Sequence, residues 1–242
     1  MRIISHRGAS GHAPENTLKA FELAVRMGSR DFEFDVHRTR DGRLVVHHDY
    51  DLSHTAGSPA RIAELDYAEL SRLNAAAHFA ADPAFQRVPL LDEVLDLVGP
   101  AADWINFEVK NDGGVYSGIE REVLAALDSR PGLFGKSLVS SFDHDTLRRF
   151  RALSPELRIG WLGHGLSELL LAPAVLKARA VRAENFHLAL RIAFRPNVSL
   201  LKKTGFSVCV YTVNSRKDAL RMEEIGVDGI FSNYPDIMGR EA

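Results

Sequence analysis

Short β-rich runs alternate with helical patterns from one end of this 242-residue chain to the other. The runs that read as strands are Ile3–Ser5, Phe32–Val36, Leu44–His47, Trp104–Val109, Ser137–Ser140, Arg158–Leu162, Phe186–Leu188, Ser207–Thr212 and Gly229–Phe231. Between most of them apolar residues recur at helical spacing. One helix begins near Asn16 as N-cap, carries Leu18, Phe21 and Val25 on one face, and stops at Gly28. Another opens with Ser117 and Glu120 at capping-box spacing and carries Ile119, Val123, Leu124 and Leu127. A third follows Asp143 with Leu147, Phe150 and Leu153, and the last starts near Ser215, carries Leu220 and Ile225, and ends at Gly226.

Repeated β-then-α units predict an α/β fold with a parallel sheet, either a closed barrel or a doubly wound sheet. The gap between Phe32–Val36 and Leu44–His47 narrows the choice. It is seven residues long and contains Asp41-Gly42. That is too short for a parallel crossover, and Asp-Gly is a hairpin signal. Leu44–His47 is therefore expected as an antiparallel excursion. Eight strands remain, the number a (β/α)8 TIM barrel requires. No Gly-rich nucleotide fingerprint follows any strand, which counts against the doubly wound sheet. Residues 1–242 are read as a single barrel domain. Residues 51–88, with a helix around Ala63–Leu73 and the Ala-rich stretch Ala75–Ala81, are read as an insertion at the barrel mouth.

Composition excludes several classes of function. Hydrophobic residues at 45% and charged residues at 26% are those of a globular protein and not of a disordered one. Thirty basic against 32 acidic residues argue against a nucleic-acid partner. The single cysteine, Cys209, excludes an intrachain disulfide and a Cys-rich metal site. Met1 leads straight into a strand, and apolar stretches such as Leu169-Leu170-Leu171-Ala172 are far short of a membrane span. A soluble cytoplasmic protein without a membrane anchor is expected.

The chemistry concentrates at strand ends. In Phe32-Glu33-Phe34-Asp35-Val36 the two carboxylates share one face and three apolar side chains the other. Helices cover the outside of a barrel, so Glu33 and Asp35 should point inward, where unpaired carboxylates are costly. A divalent cation, Mg²⁺ or Ca²⁺, removes that cost. Asn106, Glu108 and Lys110 share a face in the same way, which makes Glu108 a third ligand. Lys110 lies at the C-terminal strand end, where barrel enzymes keep their sites, and a lysine beside a metal calls for an anion such as phosphate between them. His6-Arg7-Gly8 and His47-His48-Asp49 close two further strands. Two histidines suit phosphodiester cleavage, one as base and one as acid, and Arg7 can hold phosphate oxygens through two donors. His47 is the weaker candidate of its pair, because neighbouring strand residues point apart. His12, His37, His54, His78, His144, His164 and His187 receive no role. Glu15 in the first loop can pair with Arg7 or reach the metal; Glu15 and Asn16 are expected to support the ligands from behind.

Taken in order, His6-Arg7-Gly8, Pro14-Glu15-Asn16-Thr17, Glu33-x-Asp35, Asp41-Gly42, Val45-Val46-His47-His48-Asp49, Pro89-Leu90-Leu91-Asp92-Glu93-Val94 and Asn106-x-Glu108-x-Lys110 resemble the glycerophosphodiester phosphodiesterase family. Ser141-Phe142, Tyr211-Thr212-Val213-Asn214 and Gly226-Val227-Asp228-Gly229-Ile230 extend the resemblance over essentially the whole chain. It implies a phospholipase-C-like TIM barrel, one divalent cation, and hydrolysis of small-molecule glycerophosphodiesters to sn-glycerol 3-phosphate and an alcohol. It also implies His6 and His48 as acid and base, Glu33, Asp35 and Glu108 as metal ligands, and Arg7 and Lys110 as phosphate contacts. The nucleophile is either water or the substrate's own 2-hydroxyl. Four positions depart from the family pattern: Tyr211 where Trp is common, Ser232-Asn233 where Thr-Asp is frequent, and His54 where Arg is more usual. They are expected to bear on alcohol preference and not on the chemistry. A lysophospholipase D on the same barrel and a non-catalytic phosphate-binding barrel are the alternatives.

Overall fold

The structure is a computed structural model that describes residues 1–81, 84–163 and 171–239. His164, the Leu169-Leu170 part of the apolar stretch, and two positions of the expected insertion lie outside these residues. In chain order the elements are β1 (Arg2–His6), α1 (Leu18–Arg26), β2 (Asp31–Arg38), β3 (Leu44–Val46), β4 (Asp51–Leu52), α2 (Ser53–Ala56), β5 (Ser58–Arg61), α3 (Tyr67–Leu70) and α4 (Leu91–Val98). There follow β6 (Trp104–Val109), α5 (Ile119–Asp128), β7 (Ser137–Ser141), α6 (His144–Leu153), β8 (Arg158–Leu162), α7 (Leu171–Ala180), β9 (Asn185–Ala189), α8 (Arg195–Lys203), β10 (Ser207–Tyr211), α9 (Arg216–Glu224) and β11 (Gly229–Ser232).

Parallel pairings run β1-β11-β10-β9-β8-β7-β6-β2, and β1 also pairs with β2, so eight strands close a barrel. The excursion strand β3 pairs antiparallel with β2, with Val36 opposite Val46. Strand parity sorts the side chains. Phe32, Phe34 and Val36 join the outer core beneath the helices, where the Phe34 ring meets Phe21 of α1 edge-on at 5.9 Å and Phe107 of β6 at 4.8 Å. Inside the barrel, Ile4, Trp104, Leu138, Cys209 and Phe231 form a separate apolar layer. The inward residues two positions further along the same strands, toward their C-terminal ends, are His6, Asn106, Ser140 and Tyr211. The polar layer therefore stands on an apolar floor.

Several helix ends differ from the sequence expectation. The N-cap of α1 is Thr17, whose hydroxyl accepts from the Ala20 N–H at 3.2 Å; Asn16 turns its side chain elsewhere. Gly118 with φ of 81°, not Ser117, precedes α5. Leu153 and Leu220 are exposed, and α9 buries Ala219 and Met222 in place of Leu220. The helix expected around Ala63–Leu73 is reduced to the single turn α3, because Leu65 is extended and Asp66 starts the helix anew. Within 51–88, Leu52, Ile62, Leu70, Ala75 and Val88 pack with Val45 into their own small cluster. Among the described residues, no helix is long and apolar enough to cross a membrane.

Candidate active site

The carboxylates of Glu33 and Asp35 on β2 and Glu108 on β6 converge, with one oxygen from each within 4.8 Å of the others. Strand register explains the meeting: Asp35 stands directly opposite Glu108, and Glu33 opposite Asn106. Glu33 is 2% exposed and Asp35 is fully buried. Two cations reach into the group. The Lys110 ammonium donates to Glu108 and lies 3.0 Å from Asp35 Oδ1. Arg7 Nη1 donates to Glu15 Oε1 at 3.0 Å, and its Nε lies 3.2 Å from Asp35 Oδ2. Asn16 donates from Nδ2 to Asp35 Oδ2 at 2.9 Å. Four carboxyl groups thus face two cations, leaving two negative charges to be balanced.

That imbalance appears in the proton affinities. Burial, reinforced by the charges of Asp35 and Glu108, pushes the Glu33 pKa well above the usual carboxylate range. Burial also pushes Asp35 up, but Lys110 and Arg7 outweigh it and hold Asp35 well below that range. Among the described residues, Glu33 Oε1 and the neighbouring Asn106 Oδ1 are buried without a hydrogen-bond partner, and Asp35 Oδ1 accepts none beyond its ion pair. An all-oxygen donor set with orphaned acceptors and more carboxyl groups than cations fits a hard divalent cation.

Local backbone aims these groups. Arg7 adopts a φ of 59° and its N–H donates to Glu33 Oε2 at 3.1 Å. Gly8 follows at φ of 82°, pressed so closely on α1 that a Cβ would lie 2.7 Å from the Ala20 carbonyl carbon. His6 and His48 line the same cavity of about 130 Å³ as Arg7, Glu33 and Glu108. His6 Nδ1–H donates to Asn233 Oδ1 at 2.7 Å, and its Nε2 lies 3.9 Å from Glu33 Oε2. Burial, with the nearby Arg7 charge, lowers the His6 pKa to about 3, so the ring is neutral. His48 is part exposed and its Nδ1–H donates to Asp49 Oδ1 at 2.7 Å.

Two residues outside the expected site, Asn233 and His37, hold its histidines, and the weaker candidate His47 lies outside the cavity. Asn233 was expected to bear only on alcohol preference, yet it fixes the His6 tautomer. His37, given no role, is buried between the Tyr116 hydroxyl at 2.8 Å and the His48 carbonyl at 3.2 Å, and so anchors the His48 backbone. His47 points away from the cavity, to the Asp49 carbonyl and the Thr55 hydroxyl, each at 2.9 Å. The Ser232-Asn233 dipeptide was the available signal, a departure at a motif position; the other two became visible only when the barrel closed. Phe142, Leu162, Tyr211 and Phe231 add apolar surface to the lining of the cavity.

Comparison with known proteins agrees with the sequence motifs. The model of the glycerophosphoryl diester phosphodiesterase family matches residues 6–237. The chain is 35% identical to a glycerophosphodiester phosphodiesterase of Bacillus altitudinis, over 97% of this chain and 95% of that one. It is 32% identical to one of Caldanaerobacter subterraneus subsp. tengcongensis, over 98% and 95% of the two chains. Among solved structures, an Oleispira antarctica phosphodiesterase in complex with the product sn-glycerol-3-phosphate superposes with a TM-score of 0.86 at 29% identity, covering 99% of this chain and 96% of that one. The glycerophosphodiester phosphodiesterase of Agrobacterium tumefaciens gives 0.82 at 26% identity, with 98% of each chain covered.

Proposed function

The chain belongs to the glycerophosphoryl diester phosphodiesterase family, and on that premise we propose that it hydrolyses glycerophosphodiesters to sn-glycerol 3-phosphate and an alcohol with the help of one divalent cation. It is a phosphoric diester hydrolase by membership. The observation that carries the finer reading is the convergence of Glu33, Asp35 and Glu108 beside a cavity that also holds the imidazoles of His6 and His48. These three carboxylates would hold the cation, either Mg²⁺ or Ca²⁺. When bound, the ion supplies Lewis-acid polarisation of a phosphoryl oxygen.

The chain's own residues do the rest. Arg7 and Lys110 bring two positive charges to the rim of the carboxylate group, where charge builds on the phosphoryl oxygens. His6, neutral and with its Nδ1–H committed to Asn233, presents a free lone pair at Nε2. That state suits a base that takes the proton of the attacking oxygen. His48 donates from Nδ1 to the Asp49 carboxylate, which fixes the orientation of the ring and leaves its Nε2 as the nitrogen that can serve the departing alkoxide as acid. Glu15 and Asn16 hold Arg7 and Asp35 in place.

The test is release of sn-glycerol 3-phosphate from a glycerophosphodiester with added Mg²⁺ or Ca²⁺, before and after chelation. Activity should vanish with chelator and return with metal. His6→Ala and His48→Ala should each lower kcat by about 10²–10⁴-fold. Full activity in either variant, or in chelator, contradicts the reading.

A further inference from the structure

His187 occupies the cavity floor and no step above uses it. In β9 parity sends Asn185, His187 and Ala189 into the barrel, while Phe186 and Leu188 join the outer core, Phe186 meeting Phe206 at 5.6 Å. The His187 ring is fully buried and stands edge-on to Phe231 at 4.9 Å. It fits a notch that Gly160 of β8 leaves open. A Cβ on Gly160 would lie 2.8 Å from His187 Cε1 and 3.0 Å from its Nε2.

Neither ring nitrogen of His187 has a hydrogen-bond partner among the described residues. The contrast with the other buried histidines is complete: His37 and His47 each have two partners. A buried imidazole left unpaired is a cost without return unless something entering the cavity pairs with it. Burial alone lowers its pKa to about 3, so at working pH the ring is neutral, with one N–H and one lone pair. A neutral ring gives no charge attraction to phosphate. It matches a hydroxyl, which both donates and accepts. His187 lines the cavity that holds His6, Arg7 and Glu33, so a phosphodiester bound at the carboxylates brings its organic part within the same enclosure.

We propose that His187 is a hydroxyl-recognition residue of this cavity, hydrogen-bonding the glycerol group of the substrate and so selecting polyol phosphodiesters over alkyl ones. The assignment of glycerol rests on the phosphodiesterase reading above. It makes His187 a specificity residue; proton transfer stays with His6 and His48.

The experiment compares wild type, His187→Leu and His187→Gln on two choline phosphodiesters, one of glycerol and one of propanol. Binding of sn-glycerol 3-phosphate and propyl phosphate is measured in parallel by calorimetry. His187→Leu should lose about 10- to 100-fold in kcat/KM for the glycerol diester and in affinity for sn-glycerol 3-phosphate, the range for one hydrogen bond in a site built to make it. Its handling of the propyl compounds should stay within about threefold, and His187→Gln, which keeps a donor and an acceptor, should recover part of the loss. His187→Leu should melt no lower than wild type, since it removes unpaired polar atoms. Equal losses on glycerol and propyl compounds, or no loss on either, overturn the proposal. Wild type that binds sn-glycerol 3-phosphate in a His187-dependent way but turns over no glycerophosphodiester overturns the phosphodiesterase reading instead.

Discussion

At the scale of single residues, the base role proposed for His6 depends on which of its nitrogens carries the proton. Asn233 decides this through one hydrogen bond of 2.7 Å. Asn233→Ala should therefore lower kcat by roughly 10–100-fold with little change in KM, the usual effect of losing an orienting partner. Asn233→Asp, which keeps the acceptor, should retain most of the activity. Steady-state kinetics at saturating metal check both, and wild-type kcat in Asn233→Ala contradicts the role. The carboxylates were legible because strand parity alone puts Glu33 beside Asp35 on one face. Asn233 was not legible as a partner, since 227 positions separate it from His6 and only the β1–β11 pairing brings the two together. His187 was illegible for a related reason. A histidine's worth depends on what faces it, and its notch is made by Gly160 on another strand.

At the scale of elements, the segment Pro89–Val94 shows how a motif outside the cavity serves the site. The Val46 N–H donates to the Pro89 carbonyl at 3.0 Å, and Val45 bridges to Leu90, so this segment flanks β3 just before His48. Glu93 then accepts from the Leu90 N–H at 2.9 Å, satisfying a free donor at the start of α4, and pairs with Arg87. Glu93→Ala should cost about 1–2 kcal/mol of stability, the upper range for a lost helix cap. Urea denaturation measures it; an unchanged midpoint contradicts the assignment. Strand positions and the hairpin turn were readable in advance because they depend on short-range pattern and loop length. The helix starts were less so. Thr17 displaced Asn16 as cap because the Asn16 amide is committed to Asp35, and capping competes with every other use of a polar side chain.

At the scale of the whole molecule, the polar layer is held above an apolar floor at a cost that depends on pH. His37 and His187 are buried neutral, with pKa lowered from 6.5 to about 3. A depressed folded pKa stabilises above the unfolded value and is lost as pH falls toward the folded one. The contribution of these two groups should thus be level above pH 6.5 and decline below it, with a slope of about 3 kcal/mol per pH unit once the unfolded rings are protonated. Denaturation at pH 7.5, 6 and 5 tests this, and equal stability at pH 7.5 and 5 contradicts it. Glu33 works the other way: its raised pKa means that stability present below the unfolded value of 4.5 is lost as pH rises through the folded one. A cation on the carboxylates would reverse that loss and displace the Glu33 proton.

Calorimetric titration of Mg²⁺ and Ca²⁺ into the protein near pH 6, repeated in buffers of different ionisation enthalpy, reads the ion and the displaced proton together. One ion per chain with net proton release in wild type, and loss of binding in Glu33→Gln and Glu108→Gln, is the expected result. No binding of either ion, or binding that both variants retain, would show that Glu33, Asp35 and Glu108 do not share a cation.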